Sequence, residues 1–142
     1  MMLQENTTRL SGTEIFRGNY IPPDVRQVRE LEDLIEQHFR EMRTPEFYSE
    51  SLRITLSRLN AISRAHLGRS VYELLQDRLH EEAIKLLRYT TLSVKQIAYE
   101  LGMSDPAYFF RCFKKITGMS PGEFRKSNNQ LKGNRQFSQA VR

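Results

Sequence analysis

Three features of the 142-residue chain predict an all-α fold of two helix–turn–helix units joined by one long helix. Apolar residues recur at three- and four-residue steps, the spacing of helices that bury one face. The pattern from Ser70 to Arg88 is long enough to be a single connecting helix. Finally, laying Gly68 on Gly118 puts Leu59 on Phe109, Arg64 on Lys114 and Ser70 on Ser120, so that Thr55–Leu67 becomes the counterpart of Asp105–Thr117.

The elements follow in order. Residues 1–23 are polar, contain Gly12, Gly18 and Pro22-Pro23, and are expected to form a flexible leader. From Asp24, Val25, Val28, Leu31, Leu34, Ile35 and Phe39 form one apolar stripe, expected to pack on the first unit. Thr44-Pro45 ends that helix and opens a shorter one through Phe47, Tyr48 and Leu52. Thr55 has the chemistry of a helix cap, and its helix carries Leu56, Leu59 and Ile62 to a stop near Gly68. The first helix–turn–helix thus spans about 45–68 and the connecting helix about 70–88, with Val71, Leu74, Leu75, Leu79, Ala83, Leu86 and Leu87 on its apolar side.

The second helix–turn–helix, about 93–117, is the most informative stretch. Ser93 caps a helix bearing Ile97, Ala98 and Leu101, and Gly102 supplies the backbone freedom of a helix exit. Asp105-Pro106 opens the next helix, with Asp at a cap position and Pro where its missing N–H costs nothing. Phe109 and Phe113 define an inner side, while Arg111, Lys114 and Lys115 lie largely off it. A cationic second helix after a tight turn is the geometry that places side chains in a DNA major groove. Ser120-Pro121 starts a last helix anchored by Phe124, and residues 128–142 are expected to be a disordered tail.

Charge is distributed to match. The chain holds 22 Lys and Arg against 17 Asp and Glu, a net charge of +5. Through Glu50 there are 6 basic and 10 acidic residues; from Ser51 there are 16 basic and 7 acidic. The positive excess therefore accompanies the turn motifs and points to a polyanion partner, against the plainer reading of a solvated basic surface.

Other chemistry finds little support. A single cysteine excludes an internal disulfide framework and fits a reducing compartment. Cys112, among Phe109, Phe110 and Phe113, reads as a small buried apolar residue. There is no apolar run approaching the roughly 18 residues of a membrane span and no signal-peptide pattern, so a cytoplasmic protein without a membrane partner is expected. His38, His66 and His80 show no ligand spacing with Cys112, and no metal or cofactor is expected. The pair Glu81-Glu82 reads as a solvated helix face, and nothing suggests an enzyme.

Taken together, Ile97-Ala98, Gly102, Tyr108-Phe109, Arg111, Phe113-Lys114-Lys115, Gly118, Ser120-Pro121 and Phe124-Arg125 resemble the DNA-binding domain of the AraC/XylS family of bacterial transcription regulators. The first unit is similar to the same family in Leu52, Thr55, Leu59, Gly68-Arg69-Ser70, Arg78-Leu79, Ala83 and Leu86-Leu87. The resemblance covers about Val28 to Ser127, within a domain spanning 24–127. It implies a homeodomain-like, AraC-type pair of subdomains, each presenting a recognition helix to one of two successive major-groove segments. A connecting helix of about 18 residues measures near 27 Å at about 1.5 Å per residue, against about 34 Å between groove openings on one face of B-DNA.

The function this implies is a sequence-specific DNA-binding transcription regulator, with double-stranded DNA and RNA polymerase as partners. Ser57, Arg58, Asn60 and Arg64 are the candidate contacts on the first recognition helix; Asn60 has the chemistry to pair with an adenine edge. On the second they are Ala107, Tyr108, Arg111, Lys114 and Lys115. Arg111 fits a base reader, a phosphate clamp or an ion-pair partner, and the two lysines fit phosphate contacts. Tyr108 and Phe109 are expected mostly in the core, with the Tyr108 hydroxyl able to reach a phosphate. Phe110 either packs on the preceding helix, the favoured reading, or touches a thymine methyl. Arg78 is expected to brace the two halves through an ion pair.

Two positions depart from the family pattern. Ala61 stands where a long polar or basic side chain is frequent, and Phe110 where a small polar one is usual. The first half of the site is therefore expected to be read loosely, through DNA shape. The family usually carries a separate sensing or dimerisation domain, and about 27 leading residues are too few to form one, so a monomer is expected. The competing function is a protein-interaction module or output-domain fragment in which the acidic first helix, with Glu30, Glu32, Asp33 and Glu36, and its apolar stripe mediate docking or dimerisation, DNA contact being weak.

Overall fold

The computed structural model describes residues 20–130, and all regular structure among them is helical. Six helices are α1 (Pro23–His38), α2 (Pro45–Leu52), α3 (Leu56–Leu67), α4 (Val71–Tyr89), α5 (Val94–Glu100) and α6 (Pro106–Thr117). A further helical segment, α7, occupies residues 121–130 and continues past the boundary drawn at Asn128 for the tail. The rest of the expected tail, and residues 1–19 of the expected leader, lie outside the described residues. The chain forms two compact units: one contains the segment through His38 with Thr44–Leu74, the other Phe39–Arg43 with the chain from Leu75.

In the first unit α1 packs on α2 and α3, and those two pack on each other. Val28, Leu31 and Ile35 of α1 are buried with Tyr48, Leu59 and Ile62. Phe39 corrects the expected stripe: it is buried in the second unit, where the Arg78 guanidinium lies 4.3 Å from its ring centre. Thr55 caps α3 by accepting from Arg58 N–H, and Ser63 Oγ donates to the Arg69 carbonyl at 2.5 Å.

The second unit buries Leu75, Leu79, Ala83 and Leu87 of α4 together with Ile97, Ala98, Leu101, Phe109 and Phe113. Two arginine arrangements stabilise it. Arg125 of α7 donates to the carbonyls of Leu86 (3.3 Å), Leu87 (3.0 Å), Thr90 (3.1 Å) and Leu92 (2.5 Å). One guanidinium thereby joins carbonyls of the last turn of α4, of which Leu86 already accepts from Thr90 N–H, to carbonyls of the segment that follows, with its charge at the negative end of the helix dipole.

The second arrangement surrounds Glu82. This residue is 6% exposed, not part of a solvated face as expected, and only Glu81 of the pair is exposed. Glu82 accepts from Arg40 at 2.5 Å and Arg78 at 3.0 Å, and Arg40 also reaches Glu100 at 3.2 Å. Arg78 makes an ion pair, but with an acid one turn on in its own helix and inside the second unit, not the expected brace between the two halves. Burial pushes the Glu82 carboxyl up, but the hydrogen bonds and charges of Arg78 and Arg40 outweigh that and hold it below its ordinary value.

Arg43 donates to the Leu101 carbonyl, bringing the 39–43 segment against the exit of α5. There Gly102 has φ +76°, and a Cβ at this position would lie 2.5 Å from the Arg40 carbonyl oxygen. Gly118, at φ +82°, would place a Cβ in open space.

These contacts generate two expectations. Gly102→Ala combines a left-handed backbone with a backbone clash and should lower stability by about 2 kcal/mol or more, whereas Gly118→Ala should cost about 1 kcal/mol for conformation alone. Urea unfolding of both variants checks the difference.

Because Glu82 is held below its ordinary pKa near 4.5, its contribution should be complete above that pH and lost as pH falls through the lowered value. Glu82→Gln should cost about 1–3 kcal/mol at pH 7, by leaving the half-buried Arg40 and Arg78 underpaired, and should flatten the acid limb of stability measured from pH 7 to 3.

Candidate nucleic-acid interface

The second helix–turn–helix is built from local rules. Ser93 and Gln96 form a reciprocal capping box at the start of α5, and Ile97, Ala98 and Leu101 are buried below it. Asp105 accepts from Ala107 N–H at 3.0 Å, Pro106 opens α6, and Gly118 closes it with an N–H bond to the Lys114 carbonyl at 2.8 Å. Phe109 and Phe113 are buried, with ring centres 5.9 Å apart, and Phe113 meets Phe124 edge-on at 5.5 Å. With those two aromatics inward, Ala107, Phe110, Arg111 and Lys114 share an outward face at the helical spacing.

All five predicted contacts on α6, Ala107, Tyr108, Arg111, Lys114 and Lys115, are exposed. Tyr108, expected mostly in the core, is 46% exposed, and the Arg111 guanidinium lies 6.0 Å from its ring centre. No acid among the described residues forms an ion pair with Arg111, which removes the reading of it as a structural partner. Lys114 has a second electrostatic role: after the Ser120 backbone and side-chain hydrogen bonds, its charge also helps hold the Glu123 carboxyl below its ordinary value. Phe110 is 42% exposed and lines an open groove together with Val94 and Lys95 of the preceding helix. Cys112 is half-buried rather than enclosed, beside His80 and Phe113 in a small cleft.

The first helix–turn–helix uses α3 in the equivalent position. Leu59, Ile62 and Ser63 face inward, and Ser57, Arg58, Ala61 and Arg64 are exposed. Arg58 pairs with Asp24 at 2.8 Å, both side chains being about half exposed. Such a surface pair is worth well under about 1 kcal/mol and leaves the guanidinium free to exchange partners. Asn60 is a correction: its Oδ1 accepts from Val71 N–H at 3.0 Å. That side chain satisfies an unpaired donor at the start of α4 and does not present both polar atoms for a bidentate adenine contact.

The fifty-residue repeat extends to hydrogen bonds. Ser70 and Glu73 exchange bonds at 2.9 and 3.2 Å, and Ser120 and Glu123 do so at 2.9 and 3.1 Å. Gly68 and Gly118 close the two recognition helices in the same left-handed conformation.

Residues 48–127 match a family described as a helix-turn-helix domain. The chain belongs to the AraC/XylS family. What it carries of that family is the DNA-binding domain. It is 33% identical over 113 residues to the arabinose operon regulatory protein of Escherichia coli K12, a match covering 79% of this chain and 39% of the relative. The chain thus spans about two fifths of that relative.

Among solved structures, the C-terminal domain of AraT, a response regulator from Geobacillus stearothermophilus, is 31% identical with a TM-score of 0.67, covering 77% of this chain and 88% of that one. A probable AraC family transcriptional regulator from Rhodopseudomonas palustris CGA009, 22% identical with a TM-score of 0.61 and covering 72% of this chain and 97% of that one, shares the fold. For this AraC-type domain, Asn60→Ala should lower thermal stability by about 1 kcal/mol while leaving the preferred duplex sequence unchanged, since what is lost is the acceptor of the Val71 N–H rather than a base contact.

Proposed function

We propose that the chain is a sequence-specific transcription regulator that binds duplex DNA, with one recognition helix, α3 or α6, entering each of two major-groove segments. The observation that carries this reading is the outward face of α6, where Arg111 is exposed, has no acidic partner among the described residues and is flanked by Lys114 and Lys115. An exposed guanidinium matches the O6 and N7 acceptors of guanine, and flanking ammonium groups match phosphates. On α3 the remaining candidates are Ser57, Arg58 and Arg64; with Asn60 engaged and Ala61 lacking reach, this half relies more on phosphate and shape.

RNA polymerase is the proposed protein partner of such a transcription regulator. We read the protein as cytoplasmic; among the described residues no helix is long and apolar enough to cross a membrane. Val28, Leu31 and Ile35 are buried within their own unit, which supports a monomer reading an asymmetric site and leaves the first helix no apolar face for docking.

Selection from random duplexes supplies the test site. On it, Arg111→Ala should lose about 1–3 kcal/mol and relax preference at one position, as for a bidentate base contact. Lys115→Ala should weaken all sequences alike and reduce the slope of log affinity against log salt by about 0.9. A protein that binds selected and random duplexes equally at moderate salt would contradict the proposal.

A further inference from the structure

Asn60 and Phe110 occupy equivalent places in the fifty-residue repeat, and their surroundings explain why they behave differently. Asn60 turns toward the start of the following helix because Val71 offers it an N–H. The residue equivalent to Val71 in the second unit is Pro121, which has no N–H to give. No capping role is open at position 110, and Phe110 remains 42% exposed on the face it shares with Arg111. It lines an open groove with Val94, Lys95, Pro106, Ala107 and Arg111.

We propose that Phe110 is a specificity-determining residue whose ring, with the apolar floor of Val94, Pro106 and Ala107, receives the methyl group of a thymine next to the base read by Arg111. This rests on the DNA-binding reading of α6. The thymine methyl is the one apolar group that base pairs display in the major groove. The groove is apolar in its floor and cationic at Lys95 and Arg111, so its occupant carries apolar surface beside negative charge, as a thymine beside a phosphate does. About two fifths of the Phe110 surface is open to solvent, and closing its ring over a methyl removes apolar surface from water on both sides.

The test uses the selected duplex with each thymine replaced in turn by uracil, which deletes the methyl and keeps the hydrogen-bonding edge. Affinities are measured by fluorescence anisotropy for the wild type, Phe110→Ser and Phe110→Leu, with circular dichroism and thermal melts confirming that each variant is folded. At one thymine within two base pairs of the position relaxed by Arg111→Ala, uracil should weaken wild-type binding about three- to fivefold, the value of one buried methyl. The penalty should vanish in Phe110→Ser and survive in part in Phe110→Leu. Absence of any such thymine, or an undiminished penalty in Phe110→Ser, overturns the assignment of Phe110 while leaving Arg111 as a base reader. Loss of preference for any duplex in the wild type overturns the DNA reading and this proposal with it.

Discussion

The inward anchoring of Phe109 and Phe113 is the constraint on which the rest depends. A helix rotates about 100° per residue, so burying two aromatics four apart fixes the orientation of every other side chain on α6. Arg111 and Lys114 face outward because those rings face inward, and Ala107 and Phe110 follow at the same spacing. The anchor is itself supported from two directions: Phe124 meets Phe113 edge-on, and Arg125, its neighbour on α7, closes the end of α4 through backbone carbonyls. The base recognition proposed for this surface therefore draws on a core of buried side chains.

Repetition and divergence are separable in this chain. The frame repeats: a left-handed glycine ends each recognition helix, and a Ser–Glu exchange opens the helix that follows. Contents differ at the positions the frame leaves outward, with Asn60 and Ala61 against Phe110 and Arg111. Val71 and Pro121 match this difference: Val71 has an N–H that the Asn60 amide oxygen accepts, while Pro121 has none and Phe110 carries no acceptor.

Most of the fold was legible because its signals are local. Thr55, Ser93 and Asp105 were readable as caps from residue type and position, and each accepts the expected backbone N–H. The Ser-x-x-Glu boxes at Ser70 and Ser120 were readable by the same rule but were missed as pairs. The end of α2 carried no glycine signal, because Arg53 adopts the left-handed conformation at φ 60°.

What escaped was non-local. Arg40 and Glu82 are 42 positions apart, and Arg125 reaches carbonyls 33 to 39 positions away. No periodicity marks such partners, so Glu82 read as a surface acid and Phe39 as part of a stripe it leaves. Tyr108 reads as mostly core because aromatics usually are, and only the register of α6 shows it exposed. The central claim is that DNA meets that outward face, and amide chemical-shift changes on titrating a selected duplex into labelled protein test it most directly. The account predicts the largest changes at Ala107, Phe110, Arg111 and Lys114, with a second set on the exposed side of α3. Changes confined to the acidic side of α1, around Glu30, Glu32 and Asp33, would contradict it.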